Sequence, residues 1–190
     1  MGNRRIGRKR LYAVEKKGQK VSLEAGAGIK DAIVSATQHR QGLEIITEIQ
    51  VDLGASGMLG GQADNAAIAK SAAAAHLTRL TVAKFGIITE IRAVVAEQVV
   101  GGGVSSNEVN VASSTSALSQ GTGTATARIE GLNTKGVDSS YTPNDSSTLQ
   151  TSSSEHYLYI TNGGSDTSED PVTAGKLCIY IHGFVEPDDA

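Results

Sequence analysis

The run Gly175–Phe184, GKLCIYIHGF, constrains this chain more than any other stretch. Drawn as a strand, it puts Leu177, Ile179 and Ile181 on one side. Cys178, Tyr180 and Phe184 take the other, with His182 among them. Side chains alternate faces along a strand, so a run that is apolar in both sets is one covered on both sides. Such a strand belongs in the middle of a sheet, or on a sheet face that a further layer or subunit covers. It ends six residues before the last residue, after a long polar region. Its pairing partners must therefore come from far back in the chain, which is the habit of β-sandwiches.

The earlier segments supply those partners. Leu43–Leu53 has the clearest alternation, with Leu43, Ile45, Thr47, Ile49, Val51 and Leu53 on one face. Glu44, Glu48, Gln50 and Asp52 lie opposite, with Ile46 as the apolar exception, so one face meets a core and the other mostly water. His76–Val82 and Ile87–Val100 read as two strands of a hairpin closed by Ala83–Gly86. In the second of them Ile88 and Val94 stand beside Glu90 and Arg92 on the polar face. Gly101–Gly103 ends that strand, and Asn107–Val111 and Thr124–Leu132 are shorter candidates. Glu155–Thr161 is apolar on both faces and is expected beside the final strand. Ile29, Ile33 and Val34 suggest a short helical face over Lys30–Thr37. Gly54–Ala75 reads as a surface loop holding at most a helical turn at Asn65–Lys70, because its alanines leave no large apolar stripe. The Ser/Thr-rich stretches Ser113–Gly123 and Lys135–Ser154 read as ordered loops, with Tyr141 and Leu149 placed to pin the second. The expected fold is all-β: a two-layer antiparallel sandwich of jelly-roll type with six to eight strands. Residues 21–190 form one such domain, with long polar loops across 101–154.

Charge divides the chain unevenly. The formal net charge is −3, yet the first 20 residues hold eight basic groups and one acid, leaving −10 on the remainder. Residues 1–20 lack a sustained hydrophobic period and read as an extended basic arm, with Leu11, Tyr12 and Val14 as its apolar anchor. The candidate partner-binding residues are Arg4, Arg5, Arg8, Lys9, Arg10, Leu11 and Tyr12. RRIGRKR has the look of a nucleic-acid patch, but no aromatics interleave it and the body is acidic. An acidic protein surface is the expected partner and nucleic acid is not. No apolar run reaches 18 residues, so neither a membrane-spanning helix nor a membrane partner is expected. The basic start lacks the apolar segment of a secretion signal, and Ile6 stands where a myristoylation motif wants Ser or Thr. The single cysteine, Cys178, precludes an internal disulfide and fits synthesis in a reducing cytoplasm. Its place inside the final strand marks it as a small buried hydrophobe.

Chemistry is absent from the pattern. No Gly-rich phosphate loop, HExxH, GxSxG or CxxC motif occurs, so no catalytic, metal-binding or cofactor-binding residue is assigned, and an enzyme is not expected. His39, His76, His156 and His182 are scattered, and His156 meets His182 only if the last two strands pair.

Three segments carry a resemblance. RRIGRKRLYAV at the start, AAAAHLTRLTVAKFGIITEI in the middle and AGKLCIYIHGF at the close resemble those of small virion structural proteins of marine tailed bacteriophages. The resemblance implies a capsid decoration (cement) protein, often trimeric, seated on the major capsid protein at the virion surface, with the basic arm as its attachment. The surplus of two-sided apolar strand agrees with a homo-oligomer, for which Tyr157, Tyr159, Leu177, Ile179, Tyr180, Ile181 and Phe184 are the candidate core and contact residues. The alternative is a displayed fibre, knob or glycan-binding sandwich, against which the absence of Trp counts, since sugar sites favour aromatic platforms.

Overall fold

In the computed structural model the strand centred on Ile179 lies in the middle of the larger of two sheets. The structure describes residues 18–55, 57–61, 63–70, 72–101, 108–123, 125–132, 136–143, 150, 155–163 and 170–185. In chain order the strands are β1 (Gln19–Lys20), β2 (Ile33–Gln41), β3 (Glu44–Asp52), β4 (Thr78–Arg79), β5 (Ile87–Gly101), β6 (Val109–Ser114), β7 (Thr126–Leu132), β8 (Asp138–Tyr141), β9 (Tyr157–Asn162) and β10 (Val172–Phe184). A one-turn helix, α1 (Val82–Phe85), separates β4 from β5. The large sheet runs β1-β2-β3-β10-β5-β8 and the small sheet β4-β9-β6-β7, with every pairing antiparallel. Set aside β1 and β2, and the two four-stranded orders, β3-β10-β5-β8 and β4-β9-β6-β7, are those of a jelly roll.

Between the sheets lies the main core. Ile49, Val51, Ile91, Ala93, Val95, Leu177, Ile179 and Ile181 enter it from the large sheet, each at most 1 % exposed. Val109, Val111, Leu158 and Ile160 meet them from the small sheet. Each such aliphatic side chain stabilises the fold by roughly 1.5–3 kcal/mol on burial. One polar pair shares that interior: the Gln38 side-chain amide donates to Thr47 Oγ1 (3.0 Å) and to the Lys84 carbonyl (2.8 Å). Satisfying both of its protons removes the cost of burying them.

The small sheet is covered on its other face as well. Tyr159 and Ala112 point away from the main core into a second cluster with Ala67, Ala69, Ala75, Leu118 and Ala125. The Gly54–Ala75 segment is therefore no surface loop: Met58, Ala66, Ala67, Ile68, Ala69 and Ala75 are buried, and no helical turn forms at 65–70. It runs beside β9, where Ile68 N–H donates to the Ile160 carbonyl (2.9 Å) and Asn162 N–H to the Ala66 carbonyl (3.0 Å). Alanine is what lets a backbone approach a sheet this closely.

Three further expectations change. His76–Val100 is not a hairpin, because β4 pairs with β9 in the small sheet and β5 with β10 and β8 in the large one. The change of layer happens at α1, where Thr81 Oγ1 caps the Lys84 N–H (3.3 Å) and Gly86 takes a left-handed φ of +67°. β9 and β10 are not neighbours either; they lie in different sheets. Lys30–Thr37 forms a single 3-10 turn, Lys30–Ala32, before β2 begins, as the β-branched run Ile33-Val34 favours. Ten strands form where six to eight were expected, and β1 and β8, like β2, had no strand reading in the sequence. β8 lies within the polar Lys135–Ser154 region, its end held by Tyr141, whose hydroxyl accepts from Arg128 (3.4 Å). β1 shows that the sheet already includes Gln19 and Lys20, so the sandwich starts two residues before the expected end of the arm.

Candidate interface on the outer sheet face

Strand alternation assigns a definite outer surface to the large sheet. From β3 it presents Glu44, Ile46, Glu48, Gln50 and Asp52; their partners on β10 are Phe184, His182, Tyr180, Cys178 and Lys176. From β5 come Ile87, Glu90, Arg92, Val94 and Glu97, each paired to one of those same β10 residues. β8 adds Asp138 and Ser140, and β2 adds Ser35, Thr37, His39 and Gln41. The centre of this face is mixed in polarity, and Ile46, Val94, Cys178 and Tyr180 are each half-buried there. At one end the cross-strand pair Phe184 and Ile87 stands 46 % and 45 % exposed.

Charge rings that centre. Six carboxylates lie on the face (Glu44, Glu48, Asp52, Glu90, Glu97, Asp138) against Arg92, Lys176 and, at the edge, Lys20. Arg92 grips Asp138 through two guanidinium nitrogens, one at 2.7 Å, and this hydrogen bonding holds the Asp138 carboxyl below its usual range. Lys176 hydrogen-bonds Glu97 and lies 3.9 Å from Asp52; the Glu97 bond raises its ammonium pKa. Glu44 meets His182 Nδ1 at 3.2 Å. Glu48 accepts from the Gln50 amide at 2.7 Å, and neither it nor Glu90 forms an ion pair with a described residue. Burial, and then Glu48, push up both the Cys178 thiol and the Tyr180 phenol, so both stay protonated and uncharged at neutral pH. A thiol held this way is a poor nucleophile.

The seven residues expected to form the oligomer or core strand divide among three settings. Leu177, Ile179 and Ile181 are core. Tyr159 is fully buried in the second cluster, its hydroxyl donating to the Ser116 carbonyl (2.8 Å) and accepting from Leu118 N–H (2.9 Å). Burial pushes its pKa up to about 12. Tyr157 edges onto that cluster, with its ring 5.1 Å from that of His76 and 5.8 Å from the Arg79 guanidinium. Only Tyr180 and Phe184 reach the outer face of the large sheet. β10 is thus central, as expected, but its second face is only half covered. The arm residues Arg4, Arg5, Arg8, Lys9, Arg10, Leu11 and Tyr12 lie outside the described residues. The face itself had a signal in the sequence, since Ile46 and Val94 are apolar exceptions on otherwise polar strand faces; Ile88, expected beside Val94, instead enters the core and Ile87 takes the outer face, because the pairing of β5 with β10 shifts register between His182 and Gly183.

Elsewhere the structure separates the residues that chemistry would need together. His156 Nδ1 lies 3.2 Å from Ser113 Oγ on the small sheet, whereas His182 is on the large one. Among the described residues no three His, Cys, Asp or Glu side chains stand close enough to hold a metal ion. No helix among them is long and apolar enough to cross a membrane. Comparison with protein-family models, with curated proteins and with solved structures finds no match to this chain.

Proposed function

We propose that this chain is a non-enzymatic structural protein of a virion, a capsid decoration (cement) protein that oligomerises, with a trimer favoured, and attaches to the major capsid shell through its basic arm. The observation that carries the reading is the uneven covering of the two sheets. The central strands of the small sheet, β6 and β9, are buried on both faces, while no described element lies over the half-apolar outer face of the large sheet. A surface with aliphatic and aromatic side chains at its centre and charges around it has the anatomy of a protein interface. The arm, opposite in sign to the body, supplies electrostatic attraction to an acidic shell. The resemblance of the opening, middle and closing segments to phage virion proteins points to the shell as partner. A jelly roll also serves lectins, but the aromatic side chains on this face are Tyr180, half-buried beside Arg92, and Phe184, which makes a poor platform for a sugar.

The test mixes the purified protein with assembled, undecorated shells of its phage and measures co-sedimentation. Saturable binding, lost when Arg4, Arg5, Arg8, Lys9 and Arg10 are replaced by Gln, is the expected result. Shells that bind neither form would remove the decoration role, and a glycan array with specific hits would put the display module in its place.

A further inference from the structure

The charge of the outer face of the large sheet limits what can cover it. The face is net acidic, so two such faces repel one another and a symmetric face-to-face dimer is disfavoured. What fits is a basic segment carrying a few apolar side chains. This chain contains one: Arg4–Val14 sets Arg4, Arg5, Arg8, Lys9 and Arg10 beside Leu11, Tyr12 and Val14. Guanidinium groups suit Glu48 and Glu90, the two face carboxylates without an ion-pair partner among the described residues, and the apolar trio suits Ile46, Val94 and the Phe184–Ile87 pair.

Geometry favours the arm of another molecule. β1 runs antiparallel to β2, with Gln19 opposite Gln38 and Lys20 opposite Thr37. The N-terminal end of β1 therefore faces the β2–β3 turn at Gly42-Leu43. β1 thus enters the sheet at its edge, from the side of that turn. Covering its own outer face would require a reversal; reaching a neighbour's requires none. The 17 residues before Gly18 can span at most about 60 Å, against about 25 Å for the width of six strands. We propose that the outer face of the large sheet, centred on Ile46, Val94 and Tyr180 and rimmed by Glu48 and Glu90, is the docking surface for the basic segment Arg4–Val14 of a second copy of this chain. This goes beyond the decoration reading: it concerns the protein before it meets a shell, and holds or fails without one.

A charge swap on the full-length chain tests it. One variant reverses the face (Glu48→Lys with Glu90→Lys); another reverses the arm (Arg5→Glu, Arg8→Glu and Arg10→Glu). All the substitutions lie on exposed or half-exposed positions of the sandwich or on the arm, and circular dichroism checks the fold. Association is read by light scattering and sedimentation over a concentration series at low and high salt. The wild type is expected to self-associate at low salt. Each variant alone should associate about tenfold or more weakly. An equimolar mixture of the two should recover association with both chains in equal amounts, because each arm then meets a face of opposite sign. A wild type that stays monomeric throughout overturns the proposal. So does a face reversal without effect. A mixture that fails to recover, with both variants folded, also overturns it and assigns the arm to its own body or to another surface. Co-sedimentation with shells is read separately, so failure of shell attachment leaves this result standing.

Discussion

The Tyr159 hydroxyl sits between two backbone groups of the segment that covers the small sheet, the Ser116 carbonyl and the Leu118 N–H. Removing it leaves both without that partner in a buried place. Tyr159→Phe should therefore lower unfolding stability by about 1–3 kcal/mol in urea titration. Its phenol adds a pH signature. The folded-state pKa is raised to about 12 from 10.0, so the stability tied to the protonated phenol is full below pH 10 and is lost as pH rises toward 12. The gap between wild type and Tyr159→Phe should narrow over that window. Histidines act at the other end of the scale. Burial lowers the pKa of His76, which lies 3.2 Å from the Glu24 carbonyl, and of His156, where Arg128 lowers it further. A depressed histidine pKa contributes stability that is full above the unfolded value of 6.5 and lost as pH falls. Thermal melts should therefore drop between about pH 6.5 and 5, and His76→Gln with His156→Gln should flatten the drop.

Elements with one clean periodic face were legible, and those whose identity depends on a distant partner were not. β3 and β10 follow from alternation alone, because Ile45, Ile49, Val51, Leu177, Ile179 and Ile181 all occupy the positions that the period assigns to a core. β8 did not, since Asp138-Ser139-Ser140-Tyr141 has no apolar alternation and becomes a strand only because β5 offers it an edge. The false hairpin has a related cause: hydrophobic pattern says which face of a strand is buried, not which strand lies beside it. Ala67–Ala75 was misread because alanine carries no strong period, while its small size is what permits burial against Tyr159. The crossing at α1 shows what a single atom can decide. A Cβ added at Gly183 would lie 2.0 Å from the Phe85 carbonyl oxygen, and one at Gly86 would lie 2.4 Å from that of Phe184. Gly183→Ala should destabilise by at least about 1–3 kcal/mol, as overpacking does, measured as a fall in urea midpoint. Ile179→Asp, with a charge in the middle of the core, should yield no folded protein by circular dichroism.

At the scale of the molecule, the sequence separated a basic arm from an acidic body but did not locate the acid. The sandwich concentrates six carboxylates on one side of one sheet, drawn from β3, β5 and β8, which lie far apart in the chain. No window of the sequence contains that grouping. Contacts of this kind weaken with salt, since the screening length falls from about 10 Å at 0.1 M to about 3 Å at 1 M. The proposed shell attachment and self-association should both decline across that range, while the melting temperature of the sandwich, held by its apolar core, should not fall with them.

The place of β10 also bears on damaged chains. It fills the gap between β3 and β5, so a copy cut before Gly175 loses the strand that closes both edges at once. Two long strands, each apolar along one side, would then lie open to pairing with any other exposed edge. Such a copy is a substrate for proteases and chaperones rather than a weaker version of the whole. The fold thereby edits its own population: only copies that carry β10 can close the large sheet.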